Sequence, residues 1–204
     1  MSKPKLVYFD APVSRGEECR LALQLAGVEF EDVRLKREEW VAKKPTSPFG
    51  AVPYFEVPGQ PPLAQTNAIL TLIGRRHGLH PKDDFAAARH EAVMHHIEDL
   101  RAQLGATLRM TDADQKKRAR EELAATYIPA WAAFAERQIS EDGPFFAGSS
   151  VHVVDVKILM IVRWLKSGAL DHIPSNVFAD YRKLNRVHDA VDAHPAVRAW
   201  YART

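Results

Sequence analysis

The chain changes texture once, across "HGLHPKDD" at residues 77–84, and that change limits the folds open to it. Before this point, short β-rich pieces ("KLVYF", "EDVRL", "PYFEV") alternate with helical pieces such as "GEECRLALQLAG" and "TNAILTLIGRRHG". Beyond it no stretch reads as a strand, and amphipathic runs take over: 85–110, 115–139, 153–167 and two shorter ones ending at Arg203. The pattern predicts an α/β unit followed by an all-α one, with residues 1–79 and 85–204 joined by a linker at 80–84. A chain of 204 residues is long enough for two small units sharing a core. Gly27 and Gly78 stand where helix C-caps are expected, and Thr66 or Asn67 where a helix would be capped at its start.

Composition then removes several classes of function. Apolar residues make up 46% and charged residues 26%, ordinary proportions for a globular chain. No apolar run approaches the roughly 18 residues of a membrane span, and "MSKPKLVYFD" lacks the core of a secretory signal, so a cytoplasmic protein with no membrane partner is expected. The formal charge is +2, and the densest charged group, "DADQKKRAREE", alternates in sign like a solvated helix face, which argues against a nucleic-acid partner. The single cysteine, Cys19, excludes a disulfide framework and a CxxC motif and is expected as a packed small hydrophobe inside a helix. "HEAVMHH" is not a zinc helix, because His90 and His95 are five apart, about 140° around a helix. No metal is expected. His95 instead stands four residues from both Glu91 and Asp99, a spacing that predicts charge pairing along the helix surface.

Three features remain that carry chemistry. Tyr8 lies near the carboxyl end of the first strand, facing the start of a helix, at the sheet edge where open α/β folds bind ligands. A core aromatic with a satisfied hydroxyl is the plain alternative. In "GAVPYFEV", Pro53 heads a strand although proline costs a ladder hydrogen bond, so a tight Val52-Pro53 corner is expected to turn the Val52 backbone outward, toward a ligand. In "LAQTNAIL", Gln65 and Thr66 place an amide and a hydroxyl at a helix N-terminus, a ready position for a carboxylate. Thr66 alone reads as ordinary capping.

Taken together with "VYFDAPVSRGEECRLAL", "IEDLR" and "HPAVRAWY", these features give a chain that resembles, over nearly its whole length, the tyrosine-type cytosolic glutathione S-transferases of the sigma, pi, mu and alpha group. The resemblance implies an N-terminal thioredoxin-like domain with a cis-proline at Pro53, then a C-terminal all-helical bundle. It implies glutathione as co-substrate, with Tyr8 as the catalytic tyrosine, Arg15 beside it, and Val52 pairing by backbone with the cysteinyl unit. Trp40 and Lys44 would reach the glycyl carboxylate, and Gln65 and Thr66 would hold the γ-glutamyl group. Asp99 would reach the γ-glutamyl amine across a homodimer interface, where Phe49 would insert among Ala92, Val93 and His96 of the neighbouring subunit. A hydrophobic electrophile would lie near Pro12, Val13, Leu108, Arg109, Met110 and Tyr201. The activity implied is conjugation, with a glutathione-dependent isomerase or peroxidase and a non-catalytic ligand carrier as the alternatives.

The chain also departs from the family pattern. One extra residue between Tyr8 and Arg20 bears on where Arg15 falls, and Arg109 stands where pi relatives carry a substrate-contacting tyrosine. His152-Val153-Val154-Asp155 replaces an S/T-x-x-D cap. The histidine should cap poorly, while Asp155 still favours the helix start.

Overall fold

The computed structural model describes residues 3–203. Its first part runs β1 (Lys5–Phe9), α1 (Ser14–Leu25), β2 (Glu31–Leu35), α2 (Arg37–Lys43), β3 (Tyr54–Glu56), β4 (Leu63–Ala64) and α3 (Thr66–His77). The strands form one sheet in the order β2-β1-β3-β4, with β1 parallel to β2 and both β3 and β4 antiparallel to their neighbours. This is a thioredoxin-like arrangement. Alternation along β1 divides the interior: Leu6 joins the large core beneath α1 and α3, whereas Val7 packs with Leu35, Tyr54 and Ala64 on the opposite face. Strand β4 has only two residues, too few to show a period of two, and its pairing with β3 is what defines it.

The expectation that Thr66 or Asn67 caps α3 is corrected by the backbone. The cap position is Gln65, with φ 71° and ψ 114° and no side-chain cap hydrogen bond. The chain must turn from β4 into α3 within that one residue, which takes a left-handed φ unusual for a non-glycine side chain.

The second part consists of α4 (Asp84–Leu108), α5 (Ala113–Glu122), α6 (Ile128–Gln138), α7 (Val153–Lys166), α8 (Arg182–Asp192) and α9 (Pro195–Tyr201). The run expected as one helix over 115–139 is divided by a wider π turn at Leu123–Tyr127, where the Ile128 N–H bonds back to the Leu123 carbonyl. Pro129 follows directly; it has no N–H to offer the previous turn, and its ring would crowd a regular one. Helix α7 is apolar on nearly all sides and occupies the centre of the large core, against α1, α4 and α8. The Asp155 carboxylate accepts from the His152 N–H at 2.7 Å and from the Phe146 N–H at 2.6 Å, which compensates for the weak histidine cap.

Three histidines far apart in sequence meet where this helix begins. His80 and His90 are buried, and the rings of His80, His90 and His152 make edge contacts, with centroids 5.9 Å apart for His80–His90 and 5.0 Å for His90–His152. His90 Nδ1 donates to the Ala86 carbonyl at 2.7 Å, which leaves Nε2 to accept from His152 Nδ1 at 3.3 Å. Burial, aided by the charges of His152, His80 and Arg89, holds His90 down at about 4 against an ordinary 6.5. Below that ordinary value the unfolded chain takes up a proton that the folded one refuses. Stability is therefore lost as pH falls from 6.5 toward about 4, by about 2 to 3 kcal/mol. Burial also holds the Asp155 carboxyl up at about 7, which acts in the opposite sense over the same range, so the His90 part is read by difference: wild type should lose stability relative to His90→Gln as pH falls through this window in thermal melts, and a constant difference would assign the effect elsewhere.

Candidate active site

An open groove of about 970 Å³ runs between the sheet edge and α4. Arg15 of α1, residues 51–53, the start of α3 from Gln65 to Ala68, and Glu91, His95 and Glu98 of α4 line it. The Val52-Pro53 peptide is cis. Pro53 closes off the head of β3, and Val52 enters none of the main-chain hydrogen bonds among the described residues, so its N–H and C=O are available to an extended peptide. Facing them is the N-terminus of α3. Thr66 is only 4% exposed, and its Oγ1, like Asn67 Oδ1, is buried without a protein partner among the described residues. A hydroxyl kept dry and unpaired costs about 1 to 3 kcal/mol, so its presence beside the free N–H groups of a 12-residue helix points to a polar, anionic guest.

Tyr8 does not itself line this groove; its link to it is through the start of α1, where its hydroxyl bonds with Ser14 and feels the charge of Arg15. It is 9% exposed and packs edge-on to Phe9 at 5.4 Å. Gly16 makes that position possible, because a Cβ there would stand 1.9 Å from Tyr8 Cδ1. Burial raises the phenol above its ordinary 10.0, only partly offset by a hydrogen bond with Ser14 and by the charges of Arg15 and Arg101. Tyr8 is thus a neutral donor at physiological pH. Arg15 Nε and Nη2 both donate to Glu98 Oε2, at 2.9 and 2.7 Å. Burial alone would raise the Glu98 carboxyl, but Lys157, Arg101 and Arg15 outweigh it and hold the group at about 2. The site therefore combines a phenol O–H, a guanidinium and an available peptide unit, a set suited to holding a small anionic peptide and stabilising a developing anion.

Comparison with known proteins decides the family. Residues 4–75 match the family model described as "Glutathione S-transferase, N-terminal domain", and residues 98–204 the one described as "Glutathione S-transferase, C-terminal domain". The chain belongs to the glutathione S-transferase family. It is 30% identical to glutathione S-transferase 1 of Ascaris suum over 99% of this chain and 97% of that protein. It is 29% identical to the hematopoietic prostaglandin D synthase of Gallus gallus, over 98% and 96%. Among solved structures, the prostaglandin synthase D of Nilaparvata lugens superimposes with a TM-score of 0.87 at 26% identity, covering 98% of both chains. The glutathione S-transferase of Ascaris lumbricoides does so with a TM-score of 0.77 at 31% identity, over 98% and 97%.

Within this glutathione S-transferase fold, the groove gathers Arg15, Val52, Pro53, Gln65 and Thr66 from the residues singled out in the sequence. Trp40 and Lys44 lie on α2 and the turn after it, with the Trp40 ring edge-on to Phe9 at 5.9 Å; neither lines the groove. Asp99 is exposed on α4, on the side where its charge reaches Tyr127. Pro12 and Val13 are exposed in the loop after β1, Leu108, Arg109 and Met110 sit at the end of α4, and Tyr201 ends α9 with the Arg163 guanidinium 4.7 Å above its ring. His95 does not pair with Glu91: its Nδ1 meets Asn67 Nδ2 at 3.4 Å, and Glu91 turns to Arg75 and His80, each at 3.2 Å. Cys19 is fully buried in the large core, which pushes its thiol up. Ser14, Gly16 and Glu98 were not anticipated. Only the "RG" after a strand and the acid preceding Asp99 hinted at them, since Ser14 and Gly16 act through the packing of α1 on β1 and Glu98 through the approach of α4 to α1.

Proposed function

We propose that the protein is a homodimeric, cytoplasmic glutathione transferase in which the Tyr8 hydroxyl holds the glutathione sulfur as a thiolate for attack on a hydrophobic electrophile. The observation that carries this reading is that the available Val52 peptide, the unpaired Thr66 hydroxyl and Arg15 line one groove, with the neutral Tyr8 phenol beside Ser14 and within reach of the Arg15 charge. Val52 pairs with the cysteinyl backbone, Gln65 and Thr66 hold the γ-glutamyl carboxylate at the α3 N-terminus, and Trp40 and Lys44 take the glycyl end. A thiol with an ordinary pKa of about 8.5 is only a few per cent ionised at neutral pH. Lowering it by roughly 2 units needs about 3 kcal/mol of preference for the anion. One hydrogen bond to a charged acceptor contributes about 1.5 to 3 kcal/mol, and the Arg15 charge adds to it. Pro12, Val13, Leu108, Arg109, Met110 and Tyr201 surround the electrophile. The boundary between glutathione-binding and helical domains is placed at residues 80–84. Retention on immobilised glutathione followed by conjugation of a generic aryl halide tests the reading, and failure of both would overturn it.

A second reading, glutathione-dependent isomerisation, is favoured by the similarity to prostaglandin D synthases. It uses the same thiolate but returns glutathione unchanged, so product analysis separates the two.

The dimer rests on a complementary pair of features. Phe49 is 80% exposed, at φ 55° in the turn Pro48–Gly50. A surface hollow of about 300 Å³ opens between α4 and α6, lined by Arg89, Ala92, Val93, His96, Phe134 and Gln138. Burying a phenylalanine in such a hollow contributes about 1.5 to 3 kcal/mol, and two-fold symmetry makes the contact twice. Phe49→Ser should therefore raise the dimer dissociation constant roughly 100-fold or more, as read by sedimentation equilibrium. Activity should fall with dissociation, because Asp99 would reach glutathione only in the partner subunit. An undisturbed dimer would place the interface elsewhere.

A further inference from the structure

Lys157 stands in the middle of "VVDVKILMIV", a run that supplies the central core helix, and its side chain is fully buried. A methionine would fill the same length without giving up hydration, so an ammonium here calls for a reason. Its Nζ lies 3.1 Å from Glu18 Oε2 and 2.5 Å from Glu98 Oε1. Arg101 bridges the same two carboxylates, contacting Glu18 Oε1 and, at 2.9 Å, Glu98 Oε1. The Glu98 carboxylate is therefore shared by oxygen: Lys157 and Arg101 hold Oε1, and Arg15 alone holds Oε2.

The cluster of Arg15, Arg101 and Lys157 with Glu18 and Glu98 carries three cations and two anions, one net positive charge. Three of its members, Glu18, Arg101 and Lys157, are cut off from water, but Arg15, at 43% side-chain exposure, lines the groove. The excess charge therefore appears where the sulfur is expected. The other ionisable groups packed around Lys157 do not cancel it. On α1 Cys19 is un-ionised, Glu17 and Asp32 are matched by Arg20 and Arg34, Tyr8 of β1 is neutral, and Asp155, two residues from Lys157 on α7, is taken up by the Phe146 and His152 N–H groups.

We propose that Lys157 is a positioning residue for thiol activation: by holding Glu98 Oε1 it keeps that carboxylate from fully neutralising Arg15, and so leaves a positive field on the glutathione sulfur. Glu18 sets the limit from the other side by drawing on Lys157 and Arg101. This assignment rests on the glutathione reading above, and deepens it by naming what tunes the site from 59 residues away in sequence.

The sign of the effect distinguishes this role from simple gluing of α1, α4 and α7. The measurement is a pH titration of thiolate absorbance for glutathione bound to the full-length protein. K157M removes the excess charge and should raise the bound thiol pKa by roughly 1 unit. At pH values below the wild-type pKa, that leaves about tenfold less thiolate and lowers kcat/KM in proportion, with KM for glutathione little changed. E18Q should shift the thiol pKa the other way, and K157M/E18Q, which restores one net positive charge, should return it close to wild type. A merely structural role would impair both single variants alike. Shifts in the same direction, or none in either, would overturn the proposal. Should K157M fail to fold, E18Q still decides: a lowered thiol pKa supports the assignment and a raised or unchanged one overturns it. A wild-type protein that shows no bound thiolate would instead remove the glutathione reading, and this assignment with it.

Discussion

Changing Tyr8 to phenylalanine is expected to lower turnover roughly 10- to 100-fold while leaving glutathione affinity nearly unchanged. The size follows from the bond removed: a hydrogen bond to a charged acceptor contributes about 1.5 to 3 kcal/mol, and each 1.4 kcal/mol or so is tenfold in rate. The selectivity has a structural cause. In the proposed site Tyr8 would donate to the sulfur, whereas binding would be supplied by the Val52 peptide and the N-terminus of α3, which the substitution does not touch. Burial already holds the phenol un-ionised, so the variant loses a donor and no charge. Steady-state kinetics with varied glutathione would show kcat falling at constant KM. Full activity in this variant would exclude the role, and the site would then depend on Ser14 or Arg15.

The second large effect is expected at Gly16, which touches no substrate. A methyl group there would stand 1.9 Å from Tyr8 Cδ1 and 2.1 Å from Cγ, inside a helix whose backbone is packed against the sheet. The ring has no flexible end to move aside, so Gly16→Ala must displace either the phenol or the start of α1. Overpacking of this kind costs about 1 to 3 kcal/mol, visible as a lower Tm. A displaced phenol should also reduce turnover about as much as removing its hydroxyl does. Tyr8→Phe added to Gly16→Ala should then cost little further activity, because both act on one hydrogen bond. A stable, fully active Gly16→Ala protein would show that the phenol position is not critical.

The two substitutions also mark how far the chain could be read unaided. The role expected of Tyr8 and the cis form of the Val52-Pro53 bond came through the family resemblance, whereas a tight corner at Val52-Pro53 was legible because a proline heading a strand leaves few alternatives. Gly16 was not, since "RGEEC" looks like any helical start until α1 is laid against β1. The cap of α3 at Gln65, rather than at Thr66 or Asn67, escapes the sequence for a similar reason: the two-residue β4 that precedes Gln65 and its left-handed turn is defined only through its pairing with β3. The pairing expected of His95 failed because Asn67 and Arg75, both from α3, compete for the α4 surface.

The family resemblance joined a phenol, a Val-Pro corner and a polar helix start into one expected site, whereas local pattern alone determined the order of elements, the change of texture near His80 and each of those three as a separate candidate. Those follow from period, turn chemistry and capping, which act over a few residues. Only the tertiary structure decided the charges around that site. Glu18 meets Lys157 across 139 positions and Arg101 across 83, and all three are buried. No periodicity records such a meeting, because a carboxylate in one helix and an ammonium in another are each unfavourable in a core until folding places them within 4 Å of one another.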